Sequence, residues 1–230
     1  KVRQAISYAI KRDDVINAAF MGRGEPIFGF PTIVGQNGYD GKYDNYFSYD
    51  PEKAKELLAE AGYPDGFSCK LLSSSTYAMH EQTAVCVQSS LAEIGIKVEL
   101  ELPDWATRIE RSNVGDYDMM VSGTTGNIVD MDWATNYYES GDVRMNSCPG
   151  FADDKIDELL QKGRTTLDEK EREEIYDQFR ERALELSPFV FINFREQVFA
   201  TAKNVHGFQN LDGILTYLSG LTLQDTYVEE

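Results

Sequence analysis

Strand-like and helix-like hydrophobic patterns alternate through the middle of this 230-residue chain, and this alternation constrains its fold most strongly. Residues 96–102 alternate strictly between apolar and charged side chains, which is typical of a strand with one buried face. Further strands are predicted at 67–74 and 117–122, and helices at 77–94 and 104–113. Alternating strands and helices predict an α/β fold in which a central mixed sheet is flanked by helices.

The N-terminal part of the sequence predicts helices separated by a long irregular segment. Apolar residues of the first ten positions share one helical face, and a second helical turn follows around Val15 and Ile16. Residues 22–49 show no clear period and are expected to be irregular. Asp50, a good N-cap, and Pro51, which suits the first helical position, then start another helix that Gly62 ends.

The C-terminal part predicts two helices followed by two strands. The helices are expected at 153–162 and 168–186, and Asp153 with Asp154 is interpreted as capping the first of them. The second helix has a predicted buried stripe of Ile175, Phe179, Ala183 and Leu186. Residues 189–194 and 197–202 are expected to be adjacent strands.

Composition excludes several classes of protein. The formal net charge is −17, and 42% of the residues are hydrophobic. This apolar content argues against disorder, and a surface this acidic argues against a nucleic-acid binder. No apolar run approaches the roughly 18 residues of a membrane span. Cys69, Cys86 and Cys148 are too few for a disulfide scaffold, so we expect them to be small apolar side chains.

The sequence contains few of the residue patterns that are typical of enzymes. The sequence contains no nucleophile elbow, zinc-protease helix or phosphate-binding loop. His80 and His206 stand far apart and are expected to be structural or surface residues. Close pairs of acids arise by chance among 39 carboxylates, so they give little support to acid–base catalysis. No enzyme activity, metal or cofactor is therefore predicted.

One segment has the character of a ligand site. Residues 122–127 are small and polar and follow an apolar strand, at the edge of an α/β sheet where ligands commonly bind. Trp105 begins the preceding short helix, where hydrophobic periodicity does not require an aromatic residue. The alternative is that Gly123 and Gly126 only form a turn and Trp105 only covers the core.

Several blocks of the sequence resemble one protein family. The segment YDPEKAKELLAEAGYPDGF at 49–67 is the most specific of them. Residues 2–16, 91–99, 115–118 and 157–160 are also similar to that family, in the same order along the chain. The chain resembles the large peptide-type solute-binding proteins of ABC importers, family 5.

The resemblance implies a fold and a setting. We expect a type II periplasmic-binding-protein-like lobe, with residues 1–230 forming the carboxy-terminal lobe of a two-lobed protein. The sequence starts inside a helix pattern without a Met, so an amino-terminal lobe and a signal sequence are expected before it. The implied location is periplasmic, or outside the membrane on a lipid anchor in a Gram-positive source. The implied partners are ABC permease subunits and a small solute, with the protein itself a monomer.

The resemblance also implies binding residues. Peptide binders of the family carry Gly-Trp-x-x-Asp after this strand, and the aspartate pairs with the α-amino group of the peptide. Here the frame begins at Gly123, and the aromatic residue and the acid are replaced by Thr124 and Asn127. Trp105 matches the aromatic residue that lines the family's cleft. The positions where some members carry basic residues are here the neutral residues Ser112 and Val121.

The predicted ligand site therefore consists of Trp105, Thr124, Thr125, Gly126, Asn127 and Asp130. Trp105 would stack on the ligand, Asn127 would hydrogen-bond it, and Asp130 is a weaker candidate for a cationic group. Because Asn127 has no charge, an ordinary peptide with a free amine is disfavoured. A modified peptide, a glutathione-like compound, an oligosaccharide and an opine-like solute remain open. A sensory protein of the same fold and, with least support, a hydrolase are the alternatives to transport.

Overall fold

The computed structural model describes residues 1–32, 39–123, 130–143, 147–196, 198–209 and 223–229. Its helices are α1 Val2–Ala9, α2 Arg12–Phe20, α3 Pro51–Glu60, α4 Ala78–Ala92, α5 Trp105–Val114, α6 Thr135–Tyr138, α7 Asp154–Thr165 and α8 Glu169–Leu186. Its strands are β1 Gly24–Pro26, β2 Ser68–Leu72, β3 Lys97–Glu101, β4 Met119–Met120, β5 Asn193–Arg195, β6 Val205–His206 and β7 Tyr227–Val228. A 3-10 turn, Met131–Ala134, precedes α6.

Three parallel strands form the sheet that organises the site. Their order is β3-β2-β4, with Leu71 opposite both Leu100 and Met119. Helix α4 connects β2 to β3, and α5 connects β3 to β4. Because the strands are parallel, their carboxyl ends meet at one edge, and both connecting helices begin there. Parallel and antiparallel pairs both occur among the described strands, but the antiparallel pairs form separate two-stranded ladders.

The helix predictions are confirmed, and carboxylate caps explain where several helices begin. Asp50 accepts a hydrogen bond from the Lys53 backbone N–H at 2.9 Å, so α3 starts at the residue that the sequence indicates. Asp104, Asp153 and Asp168 cap α5, α7 and α8 in the same way. The buried stripe of α8 contains Ile175, Phe179 and Ala183 as predicted, with Leu186 half-buried and Tyr176, Arg180 and Leu184 buried as well.

Two hydrophobic clusters hold the chain together. The first is largely aliphatic and packs α1, α3 and α4 around the parallel sheet, with Ile10, Leu58, Leu91 and Ile96 among its buried members. The second is largely aromatic and centres on α7 and α8, with Phe30, Tyr138 and Phe179 at its core. Tyr8 packs against both clusters and so joins them.

The predicted pair of adjacent C-terminal strands is wrong. Strand β5 pairs antiparallel with β1, which lies in the segment expected to be irregular. Residues 198–202 form no strand, and residue 197 lies outside the described residues. A Cβ at Gly24 would lie 2.4 Å from the Phe194 carbonyl oxygen, so glycine permits this close pairing. Three residues give too little periodicity for the pairing to be predicted from local pattern.

The expectations for the cysteines, for membrane-spanning helices and for metal-binding groups can be compared with the described residues. Cys69, Cys86 and Cys148 are free and partly buried, and burial is the main cause that raises the pKa of each thiol. Within the described ranges, no helix is both long and apolar enough to cross a membrane. The same residues contain no group of three or more His, Cys, Asp or Glu side chains suited to a metal ion.

Candidate functional site

The candidate site lies where the loops after the three parallel strands meet. The backbone N–H of Ser75, after β2, donates to the carbonyl of Pro103, after β3, at 3.2 Å. The backbone N–H of Val121, after β4, donates to the Leu72 carbonyl at 2.9 Å. These bonds bring the ends of the strands together, so side chains from α4 and α5 share one surface.

Three aromatic rings cover this edge of the sheet. Trp105 packs edge-on against Tyr77 and His80, with ring centroids 5.1 and 5.6 Å away. The Thr76 hydroxyl accepts a hydrogen bond from the Trp105 backbone N–H at 3.0 Å, which fixes the start of α5 beside the loop after β2. Tyr77 is 44% exposed, while Trp105 and His80 are partly exposed. The group, which we call the aromatic edge, offers flat faces for stacking.

A buried guanidinium lies against the aromatic edge. Arg108 is one helical turn after Trp105, and its guanidinium carbon is 5.0 Å from the centroid of the Trp105 ring. The side chain is 1% exposed, and its Nη2 donates to the Val121 carbonyl at 2.9 Å. Its Nε is buried without a hydrogen-bond partner. Burial lowers the pKa of Arg108, with no carboxylate among the causes.

His80 adds a second nitrogen without a partner. Its Nδ1 is buried without a hydrogen-bond partner, and its Nε2 lies 4.0 Å from where a Cβ on Gly123 would be. Burial lowers the pKa of His80, and the positive charges of Arg108 and Arg195 lower it further. Arg195 is nearby because its Nη1 donates to the sulfur of Met79 at 3.6 Å. The imidazole is therefore held neutral, close to the first residue of the predicted binding loop.

Asp130 is engaged in an ion pair within the chain. Its two carboxylate oxygens accept hydrogen bonds from Nη1 and Nη2 of Arg172, each at 2.6 Å. It also caps the 3-10 turn by accepting from the Asp132 backbone N–H. The bond from Arg172 is the main cause that holds the pKa of Asp130 below its usual value. A cationic ligand group would have to compete with Arg172 for this carboxylate.

The other positions that the sequence singled out fall into two groups. Thr124, Thr125, Gly126 and Asn127 lie outside the described residues. The two positions expected to be neutral are described: Ser112 is buried and donates to the Ile109 carbonyl at 2.8 Å, and Val121 supplies the carbonyl that Arg108 contacts. A guanidinium therefore reaches this neighbourhood from α5.

Sequence reasoning missed Arg108, His80 and Tyr77 as residues of this edge. For Arg108 a signal existed, because positions i and i+3 share a helix face and Arg108 follows Trp105 by three. For His80 and Tyr77 no local signal existed, because the loop after β2 is brought to Trp105 by the parallel pairing of β2 with β3.

Comparisons with known proteins agree on one family. The model for bacterial extracellular solute-binding proteins, family 5 (middle part), matches residues 1–146. The PBP AgaA from A. tumefaciens R10, solved in complex with agropinic acid, has a TM-score of 0.91 and 52% identity. That match covers 100% of this chain and 47% of AgaA.

Two further relatives support the assignment. The periplasmic binding protein DppA from Helicobacter pylori, solved with the peptide STSA, has a TM-score of 0.83 and 30% identity over 99% of this chain and 44% of its own. The glutathione-binding protein GsiB of Pectobacterium atrosepticum is 30% identical over 90% of this chain and 41% of its own length. The chain thus spans somewhat less than half the length of these relatives, and it belongs to family 5 of the bacterial extracellular solute-binding proteins.

Proposed function

We propose that this chain is one lobe, the carboxy-terminal one, of a two-lobed protein that captures a small polar solute for an ABC importer. The other lobe would supply the opposite wall of the cleft, and closure of the lobes would trap the solute. The share of AgaA that the chain covers, 47%, supports a chain of about one lobe in length. The relatives are substrate-binding transport proteins, so catalysis is not part of the proposal.

The observation that carries the proposal is the aromatic edge at the carboxyl ends of the parallel strands. Trp105 packs edge-on against Tyr77 and His80, and Nε2 of His80 lies 4.0 Å from where a Cβ on Gly123 would be. Aromatic rings near a glycine suit a ligand that is stacked on one side and hydrogen-bonded on the other. In the proposed closed form, Trp105 would stack on the solute, and Thr124, Thr125, Gly126 and Asn127 would contact it.

The relatives suggest which solutes to test. AgaA was solved with agropinic acid, DppA with a peptide, and GsiB is named for glutathione. The greater identity to AgaA favours an opine-like solute over an ordinary peptide. Asn127 agrees with this order, because an amide lacks the charge that attracts a free α-amino group.

The proposal includes a location and partners. Homologues are periplasmic binding proteins of ABC importers, so we propose an extracytoplasmic site of action and delivery to permease subunits. A lipid anchor would be the form in a Gram-positive source. A monomer is proposed as the solution state.

The experiment uses the full-length mature protein that contains this chain. Native mass spectrometry after gentle purification should find a bound mass that disappears on unfolding. Thermal-shift titrations with agropinic acid, glutathione and Ser-Thr-Ser-Ala then identify the class. If no solute is carried and none of the three raises the Tm, the proposal is contradicted.

A matched pair of variants tests whether the aromatic edge contacts the solute. Tyr77 and Tyr63 are equally exposed, at 44% and 45%, but Tyr63 precedes β2 and lies at the opposite end of the strand. Tyr77→Ala should weaken solute binding, because it removes a ring from the edge. Tyr63→Ala should leave the affinity unchanged, and equal effects of the two changes would contradict the assignment.

A further inference from the structure

Arg108 is a buried cation with too few partners. Guanidinium groups in protein interiors are ordinarily satisfied by carboxylates or by several carbonyl oxygens. Among the residues that the structure describes, Arg108 has two partners, the Val121 carbonyl and the face of Trp105, and its Nε has no hydrogen-bond partner. Such a charge is costly to bury and calls for an anion that the described part of the chain does not provide.

The acids on the strand before α5 and at the two ends of α5 are committed elsewhere. The carboxylate of Asp104, the cap of α5, accepts from the backbone N–H and the hydroxyl of Thr107. Asp116 and Glu101 pair with Arg111, on the same helix as Arg108. The segment 124–129, between Gly123 and Asp130, contains no Asp or Glu in the sequence.

The surroundings of Arg108 add positive potential. Arg195 adds a second guanidinium, because it donates to Met79, the residue before His80 on α4. His80 is neutral, and its Nδ1 has no hydrogen-bond partner. Helices α4 and α5 both begin at this edge, so the positive ends of their dipoles are close to it. The first turn of α4 has no side-chain cap, and it carries one acid, Glu81. The two arginines and the two helix ends favour a negative charge at one place.

We propose that Arg108 and His80 form an anion subsite that binds a carboxylate of the transported solute. The inference rests on the proposed function and sharpens it: the solute is an acid. The carboxylate supplies the partner that Arg108 lacks and accepts a hydrogen bond from the imidazole. Trp105 covers the guanidinium in the absence of solute, and it stacks on the solute when the carboxylate is bound.

The first test needs no ligand. Arg108→Met keeps much of the side-chain volume and removes the charge, so the full-length protein, stripped of solute, should have a Tm equal to or above that of the wild type. Arg111→Met is the matched control, because it removes a cation from the same helix that is already paired with two acids, Glu101 and Asp116. A Tm for Arg108→Met that falls below that of the control would overturn the proposal, because Arg108 would then be a structural residue.

The second test compares each acidic solute with its neutral derivative. The probes are agropinic acid and its primary amide, Ser-Thr-Ser-Ala and its C-terminal amide, and glutathione and its dimethyl ester. For a solute that binds, the wild type should prefer the acid by about 10- to 100-fold, as for loss of a charged hydrogen bond. Arg108→Met should abolish this preference, whereas Arg111→Met should keep it. Equal binding of acid and neutral derivative by the wild type would overturn the proposal.

Failure of this inference can be told apart from failure of the proposed function. Binding of neutral derivatives alone would leave solute capture intact and remove the anion subsite. If none of the probes binds, the solute proposal fails, and the subsite is tested with acetate at constant ionic strength. Acetate should then raise the Tm of the wild type and not that of Arg108→Met; an equal effect on both would overturn the subsite.

Discussion

Two buried arginines, Arg12 and Arg108, have opposite surroundings. Arg12 is 2% exposed and Arg108 is 1% exposed, so both guanidinium groups are removed from water. Arg12 donates to five carbonyl oxygens at 2.6 to 3.4 Å, those of Ser7, Ile10, Ile27, Phe47 and Phe191. Within the described residues, Arg108 donates to one carbonyl, that of Val121.

The difference separates Arg12, a structural cation with its hydrogen bonds satisfied, from Arg108, which has donors left over for the proposed ligand. Arg12 begins α2, next to the end of α1. Its guanidinium donates to the carbonyls of Ile27 after β1, Phe47 before α3 and Phe191 before β5, and so ties these segments together. Its charge is spread over carbonyl dipoles, although burial still lowers its pKa to about 10. Arg108 lies at the edge of a sheet where ligands bind, and it lacks such a shell. A buried charge with incomplete partners is thus a better marker of function than burial alone.

The largest expected effect comes from Arg12→Met. Five carbonyls would lose their donor in the interior, so we expect the free energy of unfolding to fall by about 3–5 kcal/mol. Arg12→Lys should also be destabilising, because an ammonium cannot reach the same set of oxygens. Urea unfolding of the full-length protein measures both. A loss below about 1 kcal/mol would show that the two arginines do not differ in the way described.

A double-mutant cycle between Trp105 and Arg108 tests the cation–π contact. Trp105→Ala, Arg108→Met and the double variant should give a coupling of about 1–2 kcal/mol in the free energy of unfolding, as expected for a desolvated cation against a ring. Trp105→Phe keeps a ring face and should retain part of the coupling. Additive single effects would mean that the ring does not stabilise the unpaired guanidinium.

Asp130→Asn removes the carboxylate that pairs with Arg172, a guanidinium which, unlike that of Arg108, has an acidic partner. The pair with Arg172 is partly exposed, so its loss should cost about 0.5–1 kcal/mol of unfolding free energy. Solute affinity should stay unchanged if Asp130 serves Arg172. A large loss of affinity with unchanged stability would instead assign Asp130 to a cationic group of the solute, as the sequence suggested.

His80→Gln should have the smallest effect on stability, and this effect should change with pH. The pKa of His80 is lowered by burial and then by Arg108 and Arg195, so the unfolded chain takes up the proton first as pH falls. This residue therefore stabilises the fold above its ordinary pKa of 6.5, and that contribution is lost as pH falls towards the lowered pKa. His80→Gln should flatten this part of a Tm-versus-pH profile, while His206→Gln serves as the control. An unchanged profile would contradict the neutral, buried imidazole.

Much of the fold can be predicted from the sequence because it is encoded locally. The strict alternation at 96–102 predicts β3, and Asp50 followed by Pro51 predicts the start of α3. The end of the block at 49–67 depends instead on a tertiary contact: a Cβ at Gly66 would lie 2.0 Å from the Gly95 carbonyl oxygen. The family and the fold class follow from the sequence in this way, and the role of Trp105 stays a prediction.

Tertiary structure alone decided the features that depend on distant segments. The pairing of β1 with β5 joins residues about 170 positions apart, and no local period indicates it. Arg12 and Arg108 both lie on short helices, and the position of Arg108 one turn after Trp105 indicates a shared face but not which partners its guanidinium has. Whether a buried charge has partners depends on which carbonyls and carboxylates the folded chain brings within hydrogen-bond distance. The sequence determined where the main helices and strand β3 begin, because caps and alternation are local. The packing of those elements decided that Arg12 is satisfied and Arg108 is not.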